Sequence, residues 1–134
     1  MDKILTQDIA YTSGLYYKET ITEEDLQGYT QIGPRAFECC SALQSVIIPE
    51  GITHISARAF ENCNNLTSIT LPKSILSIEY GAFSNCYNLQ TAACGNNVQS
   101  MYNTYRNCTN LITAACGPNV IYMGNTYWNC YNLQ

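Results

Sequence analysis

Eight cysteines among 134 residues are the side chains best able to do chemistry here. A thiolate can ligate a soft metal, attack a carbonyl or exchange a disulfide. Their spacing argues against the first two roles. No Cys-x-x-Cys occurs, and the adjacent Cys39-Cys40 pair has the wrong geometry for a chelate. Five of them, Cys40, Cys63, Cys86, Cys108 and Cys130, recur at intervals of 23, 23, 22 and 22 residues. One cysteine at a fixed place in every unit reads as a small buried hydrophobe. A disulfide between stacked neighbours remains open, because Cα atoms about 5 Å apart fall within its tolerance. Cys39 lies outside the ladder and is expected to be the exposed thiol.

The other reactive types are sparse. His54 is the single histidine, which excludes a site built on several imidazoles. Its alternation with Ile52 and Ile55 places it on the outer side. Acidic residues are scattered, and neither a Gly-rich phosphate loop nor a nucleophile elbow is present. No catalytic residue, metal site or cofactor is expected, and the chain reads as a non-enzyme. Six Lys+Arg against ten Asp+Glu give a net charge of −4 with no basic run, so phosphate-driven binding to nucleic acid is excluded. No segment approaches the roughly 20 apolar residues of a membrane helix, so no membrane insertion is expected. Met1 to Thr6 hold too short an apolar run for a signal peptide, so any signal would lie outside this sequence.

Charged residues make up 12% of the chain, about half the usual share. Every acidic residue lies at or before Glu79, and beyond it only Arg106 is charged. The last third, with Arg106 its single charge, is crowded with aromatic and amide side chains. Tyr87, Tyr102, Tyr105, Tyr122, Tyr127, Trp128 and Tyr131 are interleaved there with asparagines. Tyr105 and Tyr127 occupy a repeat column. Tyr87, Tyr102, Tyr122, Trp128 and Tyr131 fall outside it and are candidates for contact with a ligand, since tyrosine offers a large amphipathic area at low entropy cost.

The elements that position these residues follow from the repeat. Three residues before each ladder cysteine stands an aromatic (Phe37, Phe60, Phe83, Tyr105, Tyr127), and three after it a leucine (Leu43, Leu66, Leu89, Leu111, Leu133). Small residues precede the aromatics, and further columns hold Val46, Ile69, Ala92 and Ala114, then Ile52, Ile75, Val98 and Val120. A unit of 22 or 23 residues cannot bury its own apolar side chains, so units stack and share one core. Ser45 to Ile48 and Ser68 to Leu71 alternate as short strands, ended by Pro49 and Pro72. A second extended piece carries Ile52 and Ile55, and Arg58 to Cys63 suit a single helical turn with Ala59, Phe60 and Cys63 inward.

The pattern Ile-Gly-x-x-Ala-Phe-x-x-Cys-x-x-Leu-x-x-Ile-x-Ile/Leu-Pro-x-x-Ile-x-x-Ile, clearest from Ile32 to Ile78, resembles the BspA-like leucine-rich repeats. The resemblance covers roughly residues 21 to 134. It implies an α/β repeat fold: a right-handed leucine-rich-repeat solenoid of about five 22–23-residue coils, with short parallel strands plus short helical turns. It also implies a secreted or cell-surface protein that binds proteins or adheres. The later units depart from the pattern, with Ala92 and Cys94 or Ala114 and Cys116 replacing bulky aliphatics, and Gly95 and Gly117 replacing proline. These coils are expected to be less stable.

Residues 1–31 read as an N-terminal capping segment, with Thr22 as N-cap of a helix that holds Asp25 at its third position. Ala10 to Tyr17 suggest an edge strand or irregular wrap. Residues 32–134 form the solenoid, whose last unit lacks a polar cap; either more repeats follow or another chain covers that end. The expected function is a non-catalytic module that binds a protein or glycan. Alternation exposes a strand face of Ser45, Ile47, Ser68, Thr70, Thr91, Ala93, Thr113 and Ala115, with Tyr87, Tyr102 and Tyr122 as further candidates. The competing expectation is a self-assembling solenoid, a homo-oligomer docking through Trp128, Tyr131 and Leu133. The resemblance favours the cell surface, whereas the thiols and the lack of a signal leave a cytoplasmic or virion location open.

Overall fold

The structure is a computed structural model that describes residues 2–93, 96–115 and 117–134. The chain winds as a stack of coils and lays down one short strand on each of two parallel sheets per turn. One sheet contains β1 (Ile4–Leu5), β3 (Gln31–Ile32), β5 (His54–Ile55), β7 (Ser77–Ile78), β9 (Ser100–Tyr102) and β11 (Tyr122–Gly124), in that order. The other contains β2 (Thr20–Ile21), β4 (Ser45–Ile47), β6 (Ser68–Thr70), β8 (Thr91–Ala93) and β10 (Thr113–Ala115). Register matches the repeat columns: Val46 faces Ile69 and Ile69 faces Ala92, while Ile32 faces Ile55 and Ile55 faces Ile78. Strands of two or three residues could not persist alone, so their pairing across coils and a shared core hold them.

Between the second strand of a coil and the next leucine, the expected helical turn is not a helix. Residues in the left-handed region recur there four positions apart: Arg35 and Cys39, Arg58 and Asn62, Gly81 and Asn85, Asn103 and Asn107, Asn125 and Asn129. This breaks the consecutive right-handed conformation that a helix needs. Alternate amides instead donate to the following coil, as from Arg58 N to Tyr80 O (2.9 Å), Phe60 N to Ala82 O (2.8 Å) and Asn62 N to Ser84 O (2.9 Å). The amides between them close three-residue turns, as from Ala59 N to Ser56 O and Glu61 N to Arg58 O (both 3.2 Å). The turn is therefore a third hydrogen-bonded ladder, with a small residue before the ring and, at most of the positive-φ positions, asparagine or glycine; Arg35, Cys39 and Arg58 take that conformation in the earlier coils.

The core consists of columns one side chain wide. Phe37, Phe60, Phe83, Tyr105 and Tyr127 form a continuous offset stack, with centroids 5.2, 5.2, 5.5 and 5.7 Å apart and planes within 10°. Ala36, Ala59 and Ala82 pack fully buried beside it, as do Leu43, Leu66, Leu89 and Leu111. Toward the later coils Ala114, Val120, Tyr127, Cys130 and Leu133 are only partly buried against this core.

Residues 1–31 are continuous with the stack, because β1 pairs with β3 and β2 with β4. Ala10 to Tyr17 form neither an edge strand nor an irregular wrap. A helix, α1 (Gln7–Thr12), is capped by the Thr6 hydroxyl, which accepts from Ile9 N at 3.2 Å, and a 3-10 turn follows at Leu15–Tyr17. The expected N-cap at Thr22 is also corrected. Glu24–Leu26 make a 3-10 turn, and the Asp25 carboxylate reaches back to accept from Thr22 N (2.9 Å) and its hydroxyl (3.2 Å). Lys18 grips the same carboxylate at 2.8 Å, and with these donors holds Asp25 below its ordinary pKa.

Candidate functional site

The cysteine ladder has a structural role. Each thiol points inward and donates to a carbonyl of the preceding coil: Cys63 to Phe37 O (3.1 Å), Cys86 to Phe60 O (3.1 Å), Cys108 to Phe83 O (3.1 Å) and Cys130 to Tyr105 O (3.0 Å). Cys40 does the same to Tyr16 O at 2.8 Å. A small apolar body with one weak donor suits a buried site beside a carbonyl that already accepts one backbone N–H, as Phe37 O does from Cys40 N (3.1 Å), and has a second lone pair to satisfy. Burial raises the thiols of Cys86, Cys108 and Cys130 and pushes Cys40 up to about 11, so none is poised as a nucleophile. The six described cysteines are free, and Cys39 is the exposed one among them. Cys94, Cys116 and Gly95 lie outside the described residues. No group of three metal-ligating side chains occurs among the described residues. His54 is half-buried, with Nδ1 2.7 Å from the Thr53 hydroxyl.

The strand face assembles as alternation requires. Across the β2–β4–β6–β8–β10 sheet Ser45, Ser68, Thr91 and Thr113 pair in one register row, and Ile47, Thr70, Ala93 and Ala115 in a second. Ile47, Thr70, Thr91 and Thr113 are exposed, and Ser45 and Ser68 half-buried. The side chains of Ala93 and Ala115 lie outside the described residues. The first row extends to Thr20, whose hydroxyl accepts from Ser45 Oγ at 3.4 Å. Reading residues 1–31 as a cap alone hid this position. The result is a shallow ribbon of small, uncharged side chains.

The tyrosines do not join it. Tyr102 lies on β9 of the other sheet and pairs in register with Gly124, and Tyr87 sits exposed in a turn. Tyr122 is on β11, its side chain outside the described residues. At the last coil Trp128 is 53% and Tyr131 76% exposed, whereas Leu133 is half-buried on the core. Tyr131 OH donates to Asn129 Oδ1 (2.8 Å), the end of an amide ladder in which Asn129 Nδ2 donates to Asn107 and Asn107 Nδ2 to Asn85.

One concave feature escaped the reading of columns. On the turn side, Arg35, Arg58, Gly81, Asn103 and Asn125 share one position, and Glu38, Glu61, Ser84, Arg106 and Trp128 another. Only the third of these coils carries a small residue in both, so Gly81 and Ser84 leave a notch one coil deep. Its walls, two coils apart, are separated by about 10 Å at the ~4.8 Å spacing of paired strands. The cavity of about 240 Å³ is lined by Arg58, Glu61, Tyr80, Ser84, Asn85, Asn103, Arg106 and Asn107. Arg58 is 3.4 Å from Glu61 and lies over the Tyr80 ring at 5.6 Å. Burial raises the Glu61 pKa, and the Arg58 guanidinium opposes that rise. Arg106 lies over the Trp128 ring at 5.7 Å and forms no ion pair among the described residues. Asn103 is 5% exposed, and its Oδ1 has no hydrogen-bond partner among the described residues. Such an acceptor costs about 1–3 kcal/mol. The sequence signal was available: the paired absence of long side chains at 81 and 84.

Stacked coils, two parallel sheets and single-residue core columns define a leucine-rich repeat solenoid. The chain belongs to the BspA type leucine rich repeat region family, which matches residues 15–134 in six copies. Among solved structures it is similar to a leucine rich repeat protein of T. pallidum (TpLRR), with TM-score 0.78 and 22% identity over 87% of this chain and 57% of that one. It is also similar to the pneumococcal vaccine antigen PcpA (TM-score 0.73, 19% identity, 87% and 31%). A leucine rich cell surface protein of Faecalibacterium prausnitzii is a third (TM-score 0.66, 24% identity, 86% and 37%). The chain thus spans less than two thirds of each, and the likeness at these identities concerns the fold. None of the curated proteins compared with it matches the sequence.

Proposed function

We propose that the protein is a non-catalytic binding module acting at a cell surface, where its strand face docks a macromolecular ligand. The observation that carries this reading is the uncharged ribbon of Ile47, Thr70, Thr91 and Thr113, regular across four coils. A flat repeat surface suits an extended partner better than a small molecule. The family and the description of one neighbour as a cell surface protein support the location. Binding to a panel of extracellular proteins and glycans, followed by biolayer interferometry, tests it. The expected result is a ligand lost by the double variant Thr70→Glu with Thr91→Glu. Unchanged binding by that variant would move the site elsewhere.

A second reading, assembly through the last coil, draws on the exposed Ile121, Trp128 and Tyr131. Exposed aromatics of this kind commonly anchor interfaces. Light scattering over a tenfold concentration range should then report an oligomer that Trp128→Glu dissolves. A monomer throughout would remove this reading.

A further inference from the structure

We propose that the notch over Gly81 and Ser84 is a second binding site, separate from the strand face, and that it takes a carboxylate-bearing saccharide. The argument begins with Arg106. It is the one charged side chain after Glu79, it has no ion-pair partner among the described residues, and its guanidinium lies over Trp128. A guanidinium stacked on a ring keeps its in-plane donors available, and their fork matches a carboxylate.

The remaining lining selects for hydroxyl groups. The Asn85 amide nitrogen, the second proton of Asn107 Nδ2 and the lone pairs of Ser84 Oγ, whose own proton goes to Asn103 O (2.6 Å), remain for hydroxyl groups, Glu61 offers a carboxylate neutralised by Arg58, and almost nothing apolar faces the cavity. A protein partner would want an apolar anchor pocket, which this lining does not provide. At about 240 Å³ the cavity has room for one sugar ring with its substituents. Tyr80 lines it on the sheet side, and the Tyr102 ring packs on Tyr80 with centroids 5.4 Å apart.

The repeat itself supplies the control variants. Asparagine already occupies the Gly81 position in two later coils with the same positive φ, at Asn103 and Asn125. Gly81→Asn therefore fits this backbone, and Ser84→Gln, which gives up the Ser84 Oγ to Asn103 O bond (2.6 Å), completes the filling at a position held by Glu61 and Arg106 in the neighbouring coils. Arg106 is exposed, so Arg106→Ala and Arg106→Lys leave the core untouched.

The experiment is calorimetric and NMR titration with trigalacturonate and 3′-sialyllactose, against galactotriose and lactose as neutral counterparts and a Glu-rich tetrapeptide as an acidic one. At least one acidic saccharide should bind, and its neutral counterpart should not. Arg106→Ala should weaken binding about tenfold or more, Arg106→Lys less, and the filled notch should abolish it. Thr70→Glu with Thr91→Glu should leave it unchanged, which separates this site from the strand face. The proposal is overturned if neither acidic saccharide binds, if binding survives both Arg106→Ala and the filled notch, or if the acidic peptide binds through Arg106 while the saccharides do not.

Discussion

Cys39 and its neighbours show how much a single backbone position demands. Cys39 has φ 58° in a column otherwise filled by Asn62, Asn85, Asn107 and Asn129. A non-glycine side chain in this region costs about 1–2 kcal/mol, and asparagine tolerates it best. Asn62 Nδ2 meets the Cys39 sulfur at 3.8 Å, where Asn107 Nδ2 meets Asn85 Oδ1 at 2.7 Å. Cys39→Asn should therefore raise stability by up to about 1 kcal/mol, read as a higher urea midpoint with unchanged slope. The same change should remove the one fast-reacting thiol among the described cysteines, measured by thiol titration of the native protein. In contrast, Asn107→Ala deletes two rungs of the amide ladder and strains the backbone. It should cost about 1–2 kcal/mol, with Asn107→Gly costing less.

At the scale of elements, the ring stack should dominate. Phe60 is stacked on both faces and fully buried, so Phe60→Ala should cost about 3–5 kcal/mol in chemical denaturation. The sheets should differ along their length, because Val46 and Ile69 give way to Ala92 and Ala114 in one continuous column. Amide exchange should be fastest in β10 and β11 and slowest in β4 to β7, and uniform protection would contradict this. The strands and their inward faces were legible because alternation and a fixed period leave one register that buries every aliphatic. The turn was misread for a physical reason. Ala59, Phe60 and Cys63 have a spacing that a helical turn also satisfies, and only the recurring asparagines at 62, 85, 107 and 129 betray positive φ. The strand-face residues were likewise legible, whereas the notch depends on what is missing from two columns in one coil. Residues selected for what they are stand out sooner than residues selected for being small.

For the molecule as a whole, the thiol ladder sets an alkaline limit. The folded chain raises the thiols of Cys40, Cys86, Cys108 and Cys130, first through burial. In the unfolded chain they ionise near pH 8.5. Above that pH the unfolded state loses protons that the folded state retains, so stability falls as pH rises. The contribution is complete below about pH 8.5 and declines toward pH 11 for Cys40, whose thiol is pushed up to about 11. The thermal midpoint under reducing conditions should therefore drop between pH 8 and 10.5. Cys86→Ala should lower stability at pH 7.5 and flatten that pH dependence. Lys18–Asp25 acts at the opposite end of the scale. With its pKa lowered in the fold, Asp25 stabilises above about pH 4, and the gain disappears as pH falls through the folded value. Asp25→Asn should blunt the acid transition.

The pairing of Trp128 with Arg106 has an optical consequence. Trp128 is the sole tryptophan in the chain, half open to solvent and 5.7 Å from a guanidinium carbon at the rim of the notch. Its emission should lie at long wavelength and respond more to iodide than to caesium, because the neighbouring cation gathers anions around the indole. Any occupant that engages Arg106 and shields the ring would shift that emission to the blue and suppress the iodide effect. The intact protein thus carries its own reporter dye beside the notch on its turn face, and needs no label for occupancy there to be read.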